Sequence, residues 1–178
     1  MSDNSNLLPP EEALNRFKKP DAALPGLDLS HNDYQLPRYG FIVNGIGFMI
    51  SSEILSEVVK NYTVYPIPNT QPWLKGLVNL RGNLIPVYDL SMLLGLSDAP
   101  IQQESLLVLD KGQDSVGILI DGLPQPCDIT SWTKTMQIPK LPTGLSDFIT
   151  DAYSADDVIW LGFKHKEFFK SVMNSIER

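Results

Sequence analysis

A mainly β fold built as small barrels is what the sequence predicts, and three observations carry it. Short apolar runs rich in β-branched and aromatic residues recur at close spacing from Tyr39 to Phe163. Turn-forming pairs such as Asn44-Gly45 separate them, and no helical pattern lasts more than a few turns. A βαβ sheet needs longer helices between its strands, so many short strands joined by tight turns favour barrels.

The first hairpin sets Phe41-Ile42-Val43 against Ile46-Gly47-Phe48-Met49-Ile50, with Asn44-Gly45 between them and Gly45-Ile46-Gly47 read as the turn. Those glycines are not a phosphate loop, because no βα unit of the required spacing follows. Ser51-Ser52-Glu53-Ile54-Leu55 reads as a single helical turn, then Glu57-Val58-Val59 and Val64-Tyr65 as strands. Pro66-Ile67-Pro68-Asn69-Thr70-Gln71-Pro72 removes too many donors for an interior strand and predicts a surface loop. Residues 77–81 and 84–88 flank Gly82-Asn83 as a second hairpin. Asp89 then caps a short helix over 90–94 that Gly95 ends.

Residues 106–109 and 116–120 form a third hairpin around 110–114, and their unbroken apolar character fits strands buried on both faces. Pro124 and Pro126 push the next segment to an edge and interrupt its strand. A loop over 139–144 precedes a closing hairpin of 148–153 and 158–163 around Ala155-Asp156-Asp157, and Glu167 begins a final amphipathic helix. Residues 1–36, with Pro9, Pro10, Pro20 and Pro25, read as an arm holding one short helix over 11–19. Its Leu14 and Phe17 share a face suited to docking on the chain's own barrel or on a partner. The folded domain is expected over 37–178.

Composition narrows the function. The 178 residues are 43% hydrophobic and 20% charged, close to an average globular domain long enough for a real core. Against 21 acidic residues stand 14 basic ones, a net charge of -7 that offers a nucleic-acid backbone nothing to bind. No apolar run approaches membrane-spanning length and the polar start is not a signal peptide, so a cytoplasmic protein without membrane insertion is expected. The lone Cys127 reads as a small buried side chain.

Converging catalytic chemistry is missing from the sequence. His31 and His165 have no partner at zinc-ligand spacing and read as solvated. The acid pairs Glu11-Glu12 and Asp156-Asp157 fall in a helix start and a turn, and Ser51 and Ser52 lie in no nucleophile elbow. No metal or cofactor is expected. Arg81, directly after Leu77-Val78-Asn79-Leu80, stands out: its guanidinium must emerge at a barrel end or be paired near the core, serving either the hairpin or a partner.

The stretch Trp73-Leu74-Lys75-Gly76-Leu77-Val78-Asn79-Leu80-Arg81-Gly82-Asn83-Leu84-Ile85-Pro86-Val87-Tyr88-Asp89-Leu90 resembles the signature of the CheW family of bacterial chemosensory coupling proteins. Glu57-Val58 and Val116-Gly117-Ile118-Leu119-Ile120-Asp121-Gly122 resemble two further family elements, and the likeness spans about residues 39–172. It implies two intertwined five-stranded SH3-like β-barrels with short helices and a C-terminal helix. It also implies a non-enzymatic adaptor that joins a methyl-accepting chemotaxis receptor to a CheA-type histidine kinase. Carried over by position, the receptor groove comprises Leu55, Glu57, Val58, Gly76, Arg81, Leu106 and Leu107. Glu57 and Arg81 form its salt bridge, and the kinase surface lies coarsely around Thr70, Trp73 and Asn79.

The long arm, Trp73 in the proline-rich loop and the ending Val158-Ile159-Trp160-Leu161-Gly162-Phe163 look like the pilus branch of the family, the PilI adaptors of twitching motility. That branch implies a PilJ-like receptor, a ChpA/PilL-like kinase and recruitment to membrane-associated receptor arrays. A flagellar coupling protein, an adaptor that fills receptor arrays without a kinase, and a small-molecule sensor are the alternatives.

Overall fold

The structure, a computed structural model, describes residues 37–54, 56–97, 104–136, 138, 141 and 144–176. The expected helix over 11–19, His31 and Leu55 lie outside the described residues. The chain is mainly β. Its first two strands are β1 (Arg38–Val43) and β2 (Ile46–Ser51). There follow β3 (Ser56–Val59), β4 (Val64–Tyr65), β5 (Leu74–Leu80), β6 (Asn83–Tyr88) and β7 (Glu104–Leu109). The long β8 (Val116–Cys127) precedes β9 (Thr133–Lys134), β10 (Ile149–Ala155) and β11 (Val158–Phe163). Helix α1 (Leu90–Leu93) follows β6, and α2 (His165–Ile176) ends the described chain.

The strand order is β4-β5-β6-β8-β1-β2-β11-β10-β9, with β7 lying on β8 and β3 on β7. This order makes two barrels that share one strand. The first half of β8 pairs with β7 and, in parallel, with β6, whereas residues 121–127 pair with β1. Setting aside the two-residue strands β4 and β9, each barrel has five: β3, β5, β6, β7 and β8 in the first, and β1, β2, β8, β10 and β11 in the second. Because β1 and β2 belong to the second barrel and β3 to β7 to the first, the two are intertwined.

Side-chain alternation then sorts the apolar residues into three cores. On β7, Leu106 and Val108 face the first barrel's interior with Val78, Val87 and Leu119. Their neighbours Leu107 and Leu109 face a larger core between the barrels, with Phe41, Phe48, Ile118, Ile120 and the α2 pair Phe168 and Phe169. Trp160, Met49 and Cys127 fill the second barrel. Gly40 and Gly47 make this filling fit, since a Cβ at either would collide with the Trp160 indole.

The turns and caps hold both confirmations and corrections. Asn44 and Gly45 take φ of 48° and 78° and join Val43 directly to Ile46, the two-residue loop whose twist suits a hairpin. Gly47 therefore lies in β2 and not in the turn. The second hairpin turns at Arg81-Gly82, with φ of 53° and 87°, so Asn83 opens β6. Residues 51–54 form a hydrogen-bonded turn, Ile54 N to Ser51 O at 3.1 Å, with no helix. Nor do the prolines interrupt β8: beyond Asp121 that strand pairs on one side only, so Pro124 and Pro126 need no donor on the other. Asp89 caps α1 as expected, its Oδ1 accepting from Met92 N at 3.1 Å and from the Ser91 hydroxyl at 2.7 Å.

One ion pair spans the curl of the second barrel. In sheet order β1 and β10 are separated by β2 and β11, yet Arg38 Nη1 donates to Asp151 Oδ1 at 2.7 Å. The Thr150 hydroxyl donates to the same oxygen at 2.9 Å. Burial pushes the Asp151 carboxyl up, but the bonds from Arg38 and Thr150 and the Arg38 charge outweigh it and hold it below its ordinary value. The bonded Asp151 carboxylate likewise raises Arg38.

Two outcomes follow from these placements. Because the Asp151 pKa is depressed on folding, its stabilisation is full above the ordinary carboxylate range and is lost as pH falls through the folded value. Asp151→Asn should cost about 1.5–3 kcal/mol at neutral pH, with the gap to wild type closing below about pH 4 in urea titrations. A gap that widens in acid would show that the carboxylate is not stabilised by its partners. Burial also pushes the Cys127 thiol up to about 11. Its reaction with a disulfide reagent at neutral pH should be on the order of a hundredfold slower in the native protein than in urea; equal rates would mean Cys127 is not enclosed.

Candidate functional site

At one end of the first barrel three segments surround a cavity of about 540 Å³: the start of β3, the β5–β6 turn and the β7–β8 turn. Its floor is apolar, with Ile85 and Val108 both buried at 4% exposure. Its rim is charged. Glu57 reaches it because Glu57 and Val59 share the barrel face of β3, Glu57 opposite Val108 and Val59 opposite Leu106. Arg81 reaches it from the corner of its hairpin, a left-handed position that Gly82 continues.

Arg81 Nη2 lies 2.9 Å from Glu57 Oε2 across the opening. The expected salt bridge is present, but it is no buried pair: the Arg81 side chain is 77% exposed and that of Glu57 33%. Its net worth is therefore that of a surface pair, about 0–1 kcal/mol, and removing Arg81 leaves no sealed charge behind. The hairpin has its own support in Asn79, whose Oδ1 accepts from Gly82 N at 3.0 Å.

The remaining expected groove residues divide. Val58, half-buried, points to the other face of β3 and packs toward the core between the barrels, opposite Leu107. Leu106 and Leu107 are 0% and 1% exposed, so the expectation that they offer apolar surface to a partner is corrected. Alternation on a doubly covered strand sends each into a core, where they support β3 from beneath. Gly76 is also interior, with φ of 136°, and any Cβ there would strike the Tyr65 carbonyl. It lets β4 approach β5 and is not among the residues lining this cavity.

Thr70, Trp73 and Asn79 do not form one patch. Thr70 is exposed in the proline-rich loop, its hydroxyl donating to Ile67 O at 2.9 Å, and half-buried Trp73 stacks on Tyr88 with centroids 6.1 Å apart. Asn79 lies beyond six residues of strand, about 20 Å away by strand rise, at the Arg81 end.

The sequence reading missed Asp110. Its side chain, 10% exposed, is held by two residues of α2: Oδ2 lies 2.7 Å from His165 Nε2 and Oδ1 2.9 Å from the Lys166 ammonium. His165 is 3% exposed rather than solvated. Asp110 raises the Lys166 ammonium above its usual value. Nothing local in the sequence marks this cluster, whose members are 55 residues apart. Among the described residues no group of three or more His, Cys, Asp or Glu is placed to hold a metal, and no helix is long and apolar enough to cross a membrane.

The chain is similar to known proteins in sequence and in fold. The CheW-like domain family matches residues 39–172. Protein PilI of Pseudomonas aeruginosa is 28% identical over 125 residues, covering 70% of each chain. The chemotaxis protein CheW of Helicobacter pylori is 27% identical over 132 residues, 74% of this chain and 78% of that one. Among solved structures, the scaffolding protein TtCheW from Thermoanaerobacter tengcongensis superposes with a TM-score of 0.57 at 22% identity, over 72% of this chain and 88% of that one. With all eleven strands falling within or overlapping the matched span, the chain belongs to the CheW-like domain family and is an adaptor of the coupling or scaffold type rather than an enzyme.

Proposed function

We propose that this adaptor joins a methyl-accepting receptor to a CheA-type histidine kinase in the cytoplasm, at membrane-associated arrays, and that the pathway controls type IV pili and twitching motility. The observation that carries the proposal is the Glu57–Arg81 cavity: an apolar floor with an exposed ion pair at its rim, set on a rigid two-barrel body. Such a rim gives specificity through charge and affinity through the floor, without any group placed for turnover. The receptor tip is assigned to this cavity, with half-buried Val58 on the opposite face of β3. The kinase is assigned to the far end of the first barrel, around Thr70 and Trp73.

The likeness to PilI supports the pilus branch and with it a PilJ-like receptor and a ChpA/PilL-like kinase. A flagellar-type pathway is the second reading, favoured by the similar identity to the Helicobacter pylori chemotaxis protein over slightly more of the chain. Capture from native lysate decides between them. A pilus-type receptor and kinase recovered together support the first reading; flagellar counterparts support the second; neither a receptor nor a kinase defeats the adaptor role.

Arg81→Ala separates binding from folding. Because the guanidinium is mostly exposed, stability should fall by less than about 1 kcal/mol in urea titrations, while receptor-tip affinity drops by about tenfold or more. Unchanged affinity in the well-folded variant would remove the cavity from the receptor surface.

A further inference from the structure

The β7–β8 turn, residues 110–115, is the thin wall between two cavities. On one side is the Glu57–Arg81 cavity of about 540 Å³; on the other is a cleft of about 320 Å³ against α2, floored by Tyr88 and Phe169. Asp110 and Ser115 line both. The 3-10 turn at its centre, Gly112–Asp114, buries no side chain of its own. A segment with space on either side and no apolar anchor cannot be positioned by packing.

What holds it is polar. Asp110 leaves β7 at a φ of 63°, a left-handed position that Asp tolerates better than most residues, and Gly112 follows at 65°. This places the Asp110 carboxylate, at 10% exposure, between buried His165 and Lys166. Helix α2 is itself fixed by Phe168 and Phe169 in the core between the barrels. Position thus passes from the core to α2, through one carboxylate, to the cavity wall that carries Lys111.

We infer that Asp110 is a positioning residue: clamped by His165 and Lys166, it fixes the β7–β8 wall of the partner cavity and so sets receptor affinity through the turn. The affinity half of this inference rests on the adaptor reading; the wall half does not. Asp110→Asn keeps the side chain's size and its left-handed turn preference while removing the carboxylate that His165 and Lys166 share.

The test uses the full-length, nitrogen-15-labelled chain and purified signalling-tip and kinase-domain fragments from the same organism. In Asp110→Asn the backbone order parameters of residues 111–115 should fall from about 0.85 to below about 0.6, with β10 and β11 unchanged. Affinity for the receptor tip should weaken about tenfold, and affinity for the kinase domain should stay within about twofold. Lys166→Met should give an intermediate loss, and Lys166→Arg should restore wild-type values in both measurements. Unchanged order in residues 111–115 overturns the inference, as does a parallel loss of both affinities that tracks a falling melting temperature. A wild-type chain that binds no receptor tip defeats the adaptor reading, and the order parameters still decide the wall.

Discussion

Strand β8 is the constraint from which the rest of the architecture follows. Its first half is locked between β6 and β7 and its second half against β1, so a single twelve-residue strand belongs to both barrels. A strand covered on both faces must be apolar on both, and Val116-Gly117-Ile118-Leu119-Ile120 is. Leu119 feeds the first barrel while Ile118 and Ile120 feed the core between the barrels. Relative motion of the barrels would break the strand's ladders and empty the shared core, so the two move as one body.

Each barrel adds an ion pair across its curl, and the two pairs differ in kind. Arg38–Asp151 is shielded, with side chains 22% and 14% exposed, and joins elements that are not neighbours in the sheet. Glu57–Arg81 joins β3 to the β5–β6 turn in the same sense, but its arginine is mostly in water. Shielding makes the first a structural clamp, because both charges lose water and depend on each other. Exposure leaves the second nearly neutral for stability and available to another charge. The cavity at the end of the first barrel is therefore closed by the weaker of the two bonds.

The fold was legible in the sequence wherever a local signal coincided with the tertiary role. Asn44-Gly45 fixed its hairpin because positive φ at both positions is a property of those residues. Asp89 was readable as a cap for the same reason. Arg81 misled: arginine carries no turn signal, yet it occupies the first left-handed position of its hairpin, so the turn was read one residue late. Pro124 and Pro126 marked an edge correctly but not a break, because whether a proline breaks a strand depends on which side lacks a neighbour. At the site, Arg81 stood out as a cation directly after an apolar strand, and Glu57 as its partner came from resemblance. The burial of Leu106 and Leu107 came from alternation between two cores, which no single apolar run reveals, and the pairing of Asp110 with His165 needed the fold itself.

Rigidity and adaptor function belong together in the proposed role. Two partner surfaces on one body hold their occupants at a fixed separation, so binding the first raises the effective concentration of the second without any new contact. That gain is lost if the body flexes between the sites. The shared strand meets this requirement for the frame as a whole, whereas the cavity wall at residues 110–115 stands outside it, held by a carboxylate rather than by packing. A partner that changes state is distinguished by such a molecule only through a difference in contact energy between the two states, and the cavity wall is where those contacts are made. Holding that wall by one carboxylate, and the frame by the strand between the barrels, lets a change at Asp110 alter affinity at the rim while the partners keep their spacing.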